Sequence, residues 1–225
     1  MKNNTILVVA AHSDDEAFGC SGTIAKHALL GDKVHILFMT DGVGSRDTDL
    51  KKSIEKRLKS AKKAVKILGI VSMQNLDFPD NSMDSIPLLR VVQAIEKKVF
   101  DIRPNIIYTH HFGDLNIDHQ LTHAAVMTAC RPQPNFSVKE IYSFEVLSST
   151  EWQSLGIEKA FIPNYYVDIT NTIKLKFLAL NSYHEELRDY PHSRSLEAVE
   201  ALAKYRGASV GVPAAEAFKV ERIIK

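Results

Sequence analysis

The chain has 225 residues, of which 45% are hydrophobic and 24% charged, and 28 basic against 27 acidic side chains give a net charge of +1. This composition excludes a disordered chain, and the balanced charge gives no case for a nucleic acid or an anionic membrane as partner. Apolar runs fall short of the ~20 residues that span a bilayer, so we expect no integral membrane segment and a cytoplasmic location.

The first part of the chain alternates between strand and helix patterns. Short apolar runs predict four buried strands, at 5–11, 33–40, 71–78 and 105–108. Each strand is followed by a predicted helix: a segment ending at Gly31, then 48–68, 88–100 and a helix beginning near Asp118. This alternation predicts an α/β fold, a Rossmann-like three-layer sandwich with a mostly parallel sheet and helices on both faces.

The pattern loosens after Pro134. Further strands are predicted at 139–146, 165–168 and 218–224, and further helices at 172–187 and 195–205. Because no linker or repeat divides the chain, we expect one domain over 1–225, whose last third wraps or lids the first. Cys20 and Cys130 form no CxxC pair and are expected to be reduced core residues.

Polar residues follow three of the first four predicted strands. His12-Ser13-Asp14-Asp15-Glu16 follows the first strand, Thr40-Asp41-Gly42 the second, and the loop 110–119 the fourth. Ligands of open parallel sheets bind at the carboxyl ends of the strands. Three acidic groups this close require a positive partner, and a helix N-terminus offers only about half a unit of charge, so a divalent cation is favoured. The alternative is a helix N-cap formed by Asp14 or Asp15.

The loop 110–119 strengthens the metal interpretation, since it contains three histidines and two aspartates. Imidazole and carboxylate are usual zinc ligands, and a catalytic zinc takes three protein ligands and leaves one position for water. A His-x-x-Asp pair from the first loop and one histidine from the second would complete this set. Spacing leaves His119 and His123 open for that position, although His123 lies deeper in the predicted helix, where a packed or surface histidine is expected. His27 and His35 are expected to be structural.

The two loops resemble the PIG-L/LmbE-like family of zinc-dependent N-acetylglucosamine deacetylases. The resemblance rests on Ala11-His12-Ser13-Asp14-Asp15-Glu16 and on Asp118-His119 at the start of a later helix, supported by Thr40-Asp41-Gly42, Arg206-Gly207 and Ala215-Glu216-Ala217-Phe218. It implies that His12, Asp15 and His119 bind zinc. It also implies that Asp14 is the general base, which takes a proton from water and hands one to the departing amine.

The chain departs from the family pattern at Ser13, where a proline is usual, and at Asn116, where many members carry a histidine that steadies the oxyanion. An asparagine amide donates a hydrogen bond to an oxyanion but cannot act as an acid. Candidates for the missing acid are His110, His111 and His192. We favour His192, because it lies in a predicted lid-like loop.

The remaining site predictions concern orientation and substrate contacts. Asp114 and Asp118 are expected to orient the ligand side chains. Arg46, Arg57 and His111 are candidate substrate contacts, because the planar fork of an arginine suits a phosphate or a carboxylate. A solvated helix face is the alternative for Arg57. Trp152 and Tyr183 are candidates for stacking on a sugar, with a core position as the alternative.

The sequence therefore predicts a zinc-dependent hydrolase that removes an N-acetyl group from an amino sugar or its conjugate, a small-molecule substrate, and releases acetate and a free amine. One alternative is a zinc amidohydrolase acting on a non-sugar N-acyl compound. Another is a non-catalytic Rossmann-like binding domain, which is disfavoured because 19–22 is not G-x-G-x-x-G. The sequence leaves open which sugar is used, the native metal, and the oligomeric state, a homo-oligomer included.

Overall fold

The protein is described by a computed structural model that covers residues 3–40, 42, 50–154 and 156–225. Its strands are β1 (Thr5–Ala10), β2 (Lys33–Thr40), β3 (Ser72–Phe78), β4 (Ile106–His110), β5 (Glu140–Phe144), β6 (Tyr165–Asp168) and β7 (Ala215–Ile223). Its α-helices are α1 (Asp15–Gly19), α2 (Ser21–Leu29), α3 (Leu50–Leu68), α4 (Leu88–Ile102), α5 (Ile117–Ala129), α6 (Ile173–Ser182) and α7 (Leu196–Ala208). Short 3₁₀ helices cover Met83–Ser85 and Ile157–Lys159.

The described strands form one seven-stranded sheet in the order β3-β2-β1-β4-β5-β7-β6. The first five strands of the chain pair in parallel, whereas β7 pairs antiparallel with both β5 and β6. The predicted α/β class with a mostly parallel sheet is therefore confirmed. The last third of the chain extends one edge of this sheet by two strands and adds α6 and α7.

The central strands β1, β4 and β5 are buried on both faces, as expected for parallel strands covered by crossover helices, whereas the edge strand β3 is half-buried or exposed along its length. Along β1, Ile6 and Val8 belong to one apolar cluster, and Leu7 and Val9 belong to the other. Residues from α2, α3, α6 and α7 pack in the first cluster, and residues from α4 and α5 pack in the second. The alternation of side chains along a strand thus divides the core into two layers.

Two predicted helices differ from the observed ones. The segment after β1 was expected to be one helix, but it breaks at Cys20, whose φ of −145° and ψ of 15° are not helical. The helix predicted over 172–187 ends at Ser182, because Tyr183 leaves the helical path and its hydroxyl donates to Glu16 Oε1 at 2.6 Å. Cys20 and Cys130 are free and buried, as predicted.

The fold brings the two polar loops together. β1 lies between β2 and β4, so the chain leaves β1 at a point where the strand order reverses, which is where open α/β sheets bind their ligands. The backbone amide of Ala11, after β1, donates to Nε2 of His110, at the end of β4, at 2.8 Å. Across the described ranges, no helix is long and apolar enough to cross a membrane.

Candidate active site

The loop after β1 turns sharply at Asp14. The φ of Asp14 is 139°, a conformation that costs energy for a residue with a side chain. The turn is held by its backbone: the amide donates to Glu16 Oε2 at 3.0 Å, and the carbonyl accepts from Ala17 at 2.9 Å. Asp14 occupies the N-cap position of α1, yet its side chain makes no capping hydrogen bond, so the N-cap interpretation is wrong for this residue.

Three potential ligand atoms from the two loops form a nearly equilateral triangle. Nδ1 of His12 lies 3.2 Å from Oδ2 of Asp15 and 3.3 Å from Nε2 of His119, and the latter two atoms are 3.3 Å apart. All three residues are buried. Tetrahedral zinc with bonds of about 2.0–2.1 Å places its ligand atoms about 3.3–3.4 Å from one another. The triangle therefore has the dimensions of one face of a zinc tetrahedron.

The other ring nitrogen of each histidine faces a carboxylate. Nε2 of His12 lies 3.1 Å from Asp118 Oδ2 and 3.2 Å from Asp80 Oδ1. Nδ1 of His119 lies 3.2 Å from Asp114 Oδ1. Histidines that bind a metal usually donate their second ring N–H to such an acceptor, which fixes the tautomer and the orientation of the ring. Both histidines of the triangle have a carboxylate next to this second nitrogen.

A second group, His12 with Asp80 and Asp118, is also compact enough to hold a cation. Asp118 is already engaged there, because its two carboxylate oxygens accept from the backbone amides of Asn81 at 2.7 Å and Met83 at 3.0 Å. The group also offers one nitrogen instead of two. The first triangle is therefore the better candidate metal centre, with the second group supporting the ring of His12.

Electrostatics at the triangle favour ionised carboxylates. Burial by itself would raise the pKa of Asp15, but the charge of His119 and the hydrogen bonds of His119 and His12 outweigh burial and hold that pKa well below its usual range. Burial lowers the pKa of His119, yet Asp15 and Asp114 outweigh it and raise that pKa to about 9. A metal ligand must be deprotonated, so a cation would displace the proton of His119 when it binds.

Asp114 is fixed from several sides. It accepts from Thr150 Oγ1 at 2.7 Å, from the backbone amide of Asn116 at 2.9 Å and from the hydroxyl of Ser149. Although burial opposes ionisation, the charge of His119 and the hydrogen bonds of His119 and Ser149 lower the pKa of Asp114 to about 2. These contacts hold Asp114 next to His119, as the amides of Asn81 and Met83 hold Asp118 next to His12. Both aspartates are therefore placed where the predicted orienting roles require them.

Asp14 lies among guanidinium groups instead of imidazoles. Its Oδ1 is 3.1 Å from an Nη atom of Arg57, and its Oδ2 accepts from an Nη atom of Arg194 at 2.9 Å. Glu186 approaches both arginines, Arg57 at 2.6 Å and Arg194 at 3.5 Å. Arg57 is 8% exposed and donates to the carbonyl of Ser13, so the solvated-face alternative is wrong for this residue. The four charges sum to zero.

Asn116 caps a helix. Its Oδ1 accepts from the amide of Asp118 at 2.8 Å at the start of α5, and its Nδ2 donates to Asn81 Oδ1 at 3.0 Å. One N–H of the side-chain amide remains for the predicted bond to an oxyanion.

His192 accepts through Nδ1 from the backbone amide of Arg194 at 3.0 Å. Its ring packs edge to face with that of Trp152, with the ring centroids 5.6 Å apart. Trp152 is exposed, so the core alternative is wrong for it, whereas Tyr183 is buried.

The histidines at the end of β4 are buried and supported by the fold. His110 stacks on His119 with ring centroids 3.8 Å apart, and His123 Nδ1 bonds to the carbonyl of His110 at 2.8 Å. His111 Nε2 lies 2.9 Å from the carbonyl of Lys159. Burial lowers the pKa of both His110 and His111, which favours the neutral imidazole. Arg46 lies outside the described residues, as does Asp41.

Three residues of the site were not predicted from the sequence: Asp80, Glu186 and Arg194. Asp80 follows β3, whose carboxyl end lies at the same edge of the sheet, and this position was a usable signal. Glu186 lies in a segment that was predicted to be helical, and Arg194 is two positions after His192. The sequence around Glu186 or Arg194 gives no sign that either residue lies near Asp14. Their position there depends on how the last third of the chain packs against the first.

Comparisons with known proteins agree with this geometry. The family model described as PIG-L, GlcNAc-PI de-N-acetylase, matches residues 7–130, a span that contains His12, Asp15 and His119. Among curated relatives, the diacetylchitobiose deacetylase of Thermococcus kodakarensis is 27% identical over 232 residues, which cover 95% of this chain and 82% of the relative.

A second curated relative is a probable N-acetyl-alpha-D-glucosaminyl L-malate deacetylase 2 from Bacillus anthracis. It is 24% identical over 159 residues, which cover 67% of this chain and 70% of the relative. Among solved structures, the N,N'-diacetylchitobiose deacetylase from Pyrococcus horikoshii superposes with a TM-score of 0.79 at 22% identity, covering 97% of this chain and 84% of that one. This last likeness establishes the shared fold.

Proposed function

Because the chain belongs to the GlcNAc-PI de-N-acetylase family, we propose that it is a zinc-dependent hydrolase that removes the acetyl group from an N-acetylated amino sugar or its conjugate. The products are acetate and a free amine. The observation that carries the proposal is the triangle of His12 Nδ1, Asp15 Oδ2 and His119 Nε2, whose edges of 3.2, 3.3 and 3.3 Å fit tetrahedral zinc.

These three residues would hold the ion, and Asp118 and Asp114 would keep the two imidazoles in the tautomers that bind it. When bound, zinc supplies Lewis acidity, which lowers the pKa of a water molecule toward about 7 and polarises an amide carbonyl. An amide is a poor electrophile, so the reaction also needs a group that moves protons.

Asp14 is the proposed general base. Its carboxylate is buried beside the ligand Asp15, and within the described part of the chain its Oδ1 accepts no hydrogen bond. Oδ1 is therefore available to take a proton from the attacking water and to deliver one to the departing amine. Arg57 is assigned to this carboxylate, because Asp14 and Glu186 already neutralise its guanidinium and leave no charge for a substrate anion.

Asn116 and His192 complete the proposed catalytic groups. The second N–H of the Asn116 amide donates to the oxyanion that forms as the carbonyl is attacked. Because Nδ1 of His192 accepts from a backbone amide, the ring proton lies on Nε2, and we propose that this N–H donates a hydrogen bond to the departing amine while Asp14 delivers the proton. His111 remains a candidate substrate contact.

The substrate class follows from the family and its relatives. The names of the two curated relatives share an N-acetylated glucosamine unit and differ in what it is attached to, a second sugar or malate. We propose that this chain acts on the same unit in a small molecule, and that the attached group distinguishes it from its relatives.

A panel of acetylated compounds tests the proposal. Purified zinc-loaded protein is incubated with N-acetylglucosamine, diacetylchitobiose, N-acetylglucosaminyl malate and a set of N-acetyl amino acids, and the released amine is quantified. We expect amine from at least one sugar, lost on chelation and restored by zinc. Release from N-acetyl amino acids alone would favour the non-sugar amidohydrolase, and inertness toward the whole panel would contradict the assignment.

A further inference from the structure

We propose that Arg194 is a positioning residue for Asp14, which holds one carboxylate oxygen so that the other is presented as the proton acceptor. The inference rests on the proposed function, in which Asp14 is the general base. Its first observation is the asymmetry of this carboxylate. Oδ2 accepts from Arg194 at 2.9 Å, whereas Oδ1 accepts no hydrogen bond among the residues described, although Arg57 lies 3.1 Å away.

The loop itself does not orient this side chain. The backbone amide and carbonyl of Asp14 are used by Glu16 and Ala17, and the side chain makes no capping bond to α1. Its φ of 139° also places the carboxylate on a strained turn instead of a regular helix. The orientation of the carboxylate must therefore come from groups that are distant in sequence.

Arg194 is itself held in place, as a positioning residue must be. Its Nε donates to Ser148 Oγ at 2.6 Å while an Nη atom donates to Asp14. The guanidinium lies over the ring of Phe18 at 5.0 Å from its centroid. Its side chain is 21% exposed, so these contacts are partly shielded from solvent. A rigid fork makes the two hydrogen bonds at once, which the single ammonium group of a lysine cannot reproduce.

Glu186 supplies the second negative charge that the two arginines require. Without it, two guanidinium groups would face a single carboxylate. Its Oε1 lies 2.6 Å from Arg57 and its Oε2 lies 3.5 Å from Arg194, so each arginine has a carboxylate on both sides. The network is neutral and buried around Asp14, and it joins α3 to the loops that follow β5 and α6.

The test compares four variants on the sugar that the wild type deacetylates. In R194Q we expect kcat to fall about 10- to 100-fold, because a misplaced base loses its reacting geometry, while KM and zinc content stay at wild-type values. R194K restores part of kcat, since it keeps one bond to Asp14. S148A lowers kcat less than R194Q does. The matched control is R188Q, because Arg188 is exposed and its side chain donates to the carbonyls of Glu185 and Leu187, and it should match the wild type.

The outcomes separate positioning from the other roles of an arginine. A raised KM with unchanged kcat would show that Arg194 binds substrate, and unchanged kinetics in R194Q would show no role; either result overturns the inference. S148A and R194K keep the test valid if R194Q does not fold. A crystal structure of R194Q or R194K needs no turnover: a rotated Asp14 carboxylate supports the inference and an unmoved one overturns it. An inactive wild type would count against the proposed function alone.

Discussion

Two adjacent aspartates in one loop have opposite surroundings. Asp15 faces the ring nitrogens of His12, His110 and His119 at 3.2–3.4 Å, and we call this the imidazole side. Asp14 faces Arg57 and Arg194, which together with Glu186 form the guanidinium side. Both aspartates are 1% exposed, so burial does not distinguish them.

The difference lies in what the neighbouring groups can release. An imidazole can lose its proton and offer a lone pair to a metal, whereas a guanidinium stays protonated and has no lone pair to offer. The imidazole side can therefore bind a cation, and the guanidinium side can only hold an anion in place. In the proposed function, neighbouring residues of one loop divide metal binding and proton transfer between them, and the turn at Asp14 directs their carboxylates to different sides.

The largest expected effect comes from removing imidazoles. His12→Ala and His119→Ala each delete one nitrogen of the triangle, so we expect both variants to lose zinc and all measurable turnover. Elemental analysis of the purified proteins measures this directly. His35→Ala is the matched control, because the described hydrogen bonds of the His35 side chain reach only Ser72. This variant should retain the metal. Full metal in both ligand variants would show that the imidazole side is not the metal centre.

The next effect comes from the guanidinium side. Asp14→Asn preserves the shape of the side chain and removes its basicity, so the variant should bind zinc normally while kcat falls about 10²- to 10⁴-fold. Steady-state kinetics and zinc content are measured on the same preparation. Near-normal rates would mean that another group takes the proton. Loss of zinc would mean that the two sides are not functionally separate.

A smaller effect is expected from the support of the imidazole side. Asp114→Asn removes the charge that faces Nδ1 of His119, so the affinity for zinc should fall about 10- to 100-fold. Competition with a chromophoric chelator measures the affinity. Asp84→Asn, at an exposed aspartate, is the control. If Asp114→Asn binds zinc as tightly as the wild type, Asp114 does not orient the ligand.

The smallest effect on turnover is expected from breaking a buried ion pair that belongs to neither the imidazole side nor the guanidinium side. Lys176 and Glu216 form a buried ion pair at 2.7 Å, and Glu216 also accepts from the amides of Gly22 and Thr23 at the start of α2. Lys176→Met leaves the carboxylate buried without its partner and should lower the free energy of unfolding by about 3–5 kcal/mol.

Chemical denaturation measures that loss of stability, and kinetics at low temperature measure turnover of the folded variant. We expect kcat of the zinc-loaded Lys176→Met protein to stay close to the wild-type value. A fall in kcat as deep as that of Asp14→Asn, with wild-type stability, would mean that this pair belongs to the catalytic machinery.

Much of the fold was predictable because its signals are local. The apolar runs of β1 and β2 and the helical character of the segment between them follow from the hydrophobic pattern alone. The position of β7 does not, since inserting an antiparallel strand between β5 and β6 depends on pairing that is distant in sequence. The break at Cys20 was likewise missed, because it depends on caps supplied to α1 and α2 by Lys176 and Glu216.

The site divides in the same way. The two loops that carry His12, Asp15 and His119 were predictable because they follow strands whose carboxyl ends meet at one edge. The choice of His119 over His123 came from the resemblance to the family, since spacing left both open. Asp80 follows such a strand too, but it stands in Pro79-Asp80-Asn81, whose residues are typical of a turn, and a turn explains this aspartate equally well. Arg194 could not be predicted, because its contact with Asp14 spans 180 positions and depends on the packing of the last third of the chain.

Anomalous diffraction at the zinc edge from crystals of the metal-loaded protein tests the central claim most directly. We expect one peak on the imidazole side, about 2.0–2.1 Å from Nδ1 of His12, Nε2 of His119 and Oδ2 of Asp15. A peak beside Nε2 of His12, next to Asp80 and Asp118, or no peak near His12 at all, would contradict the account.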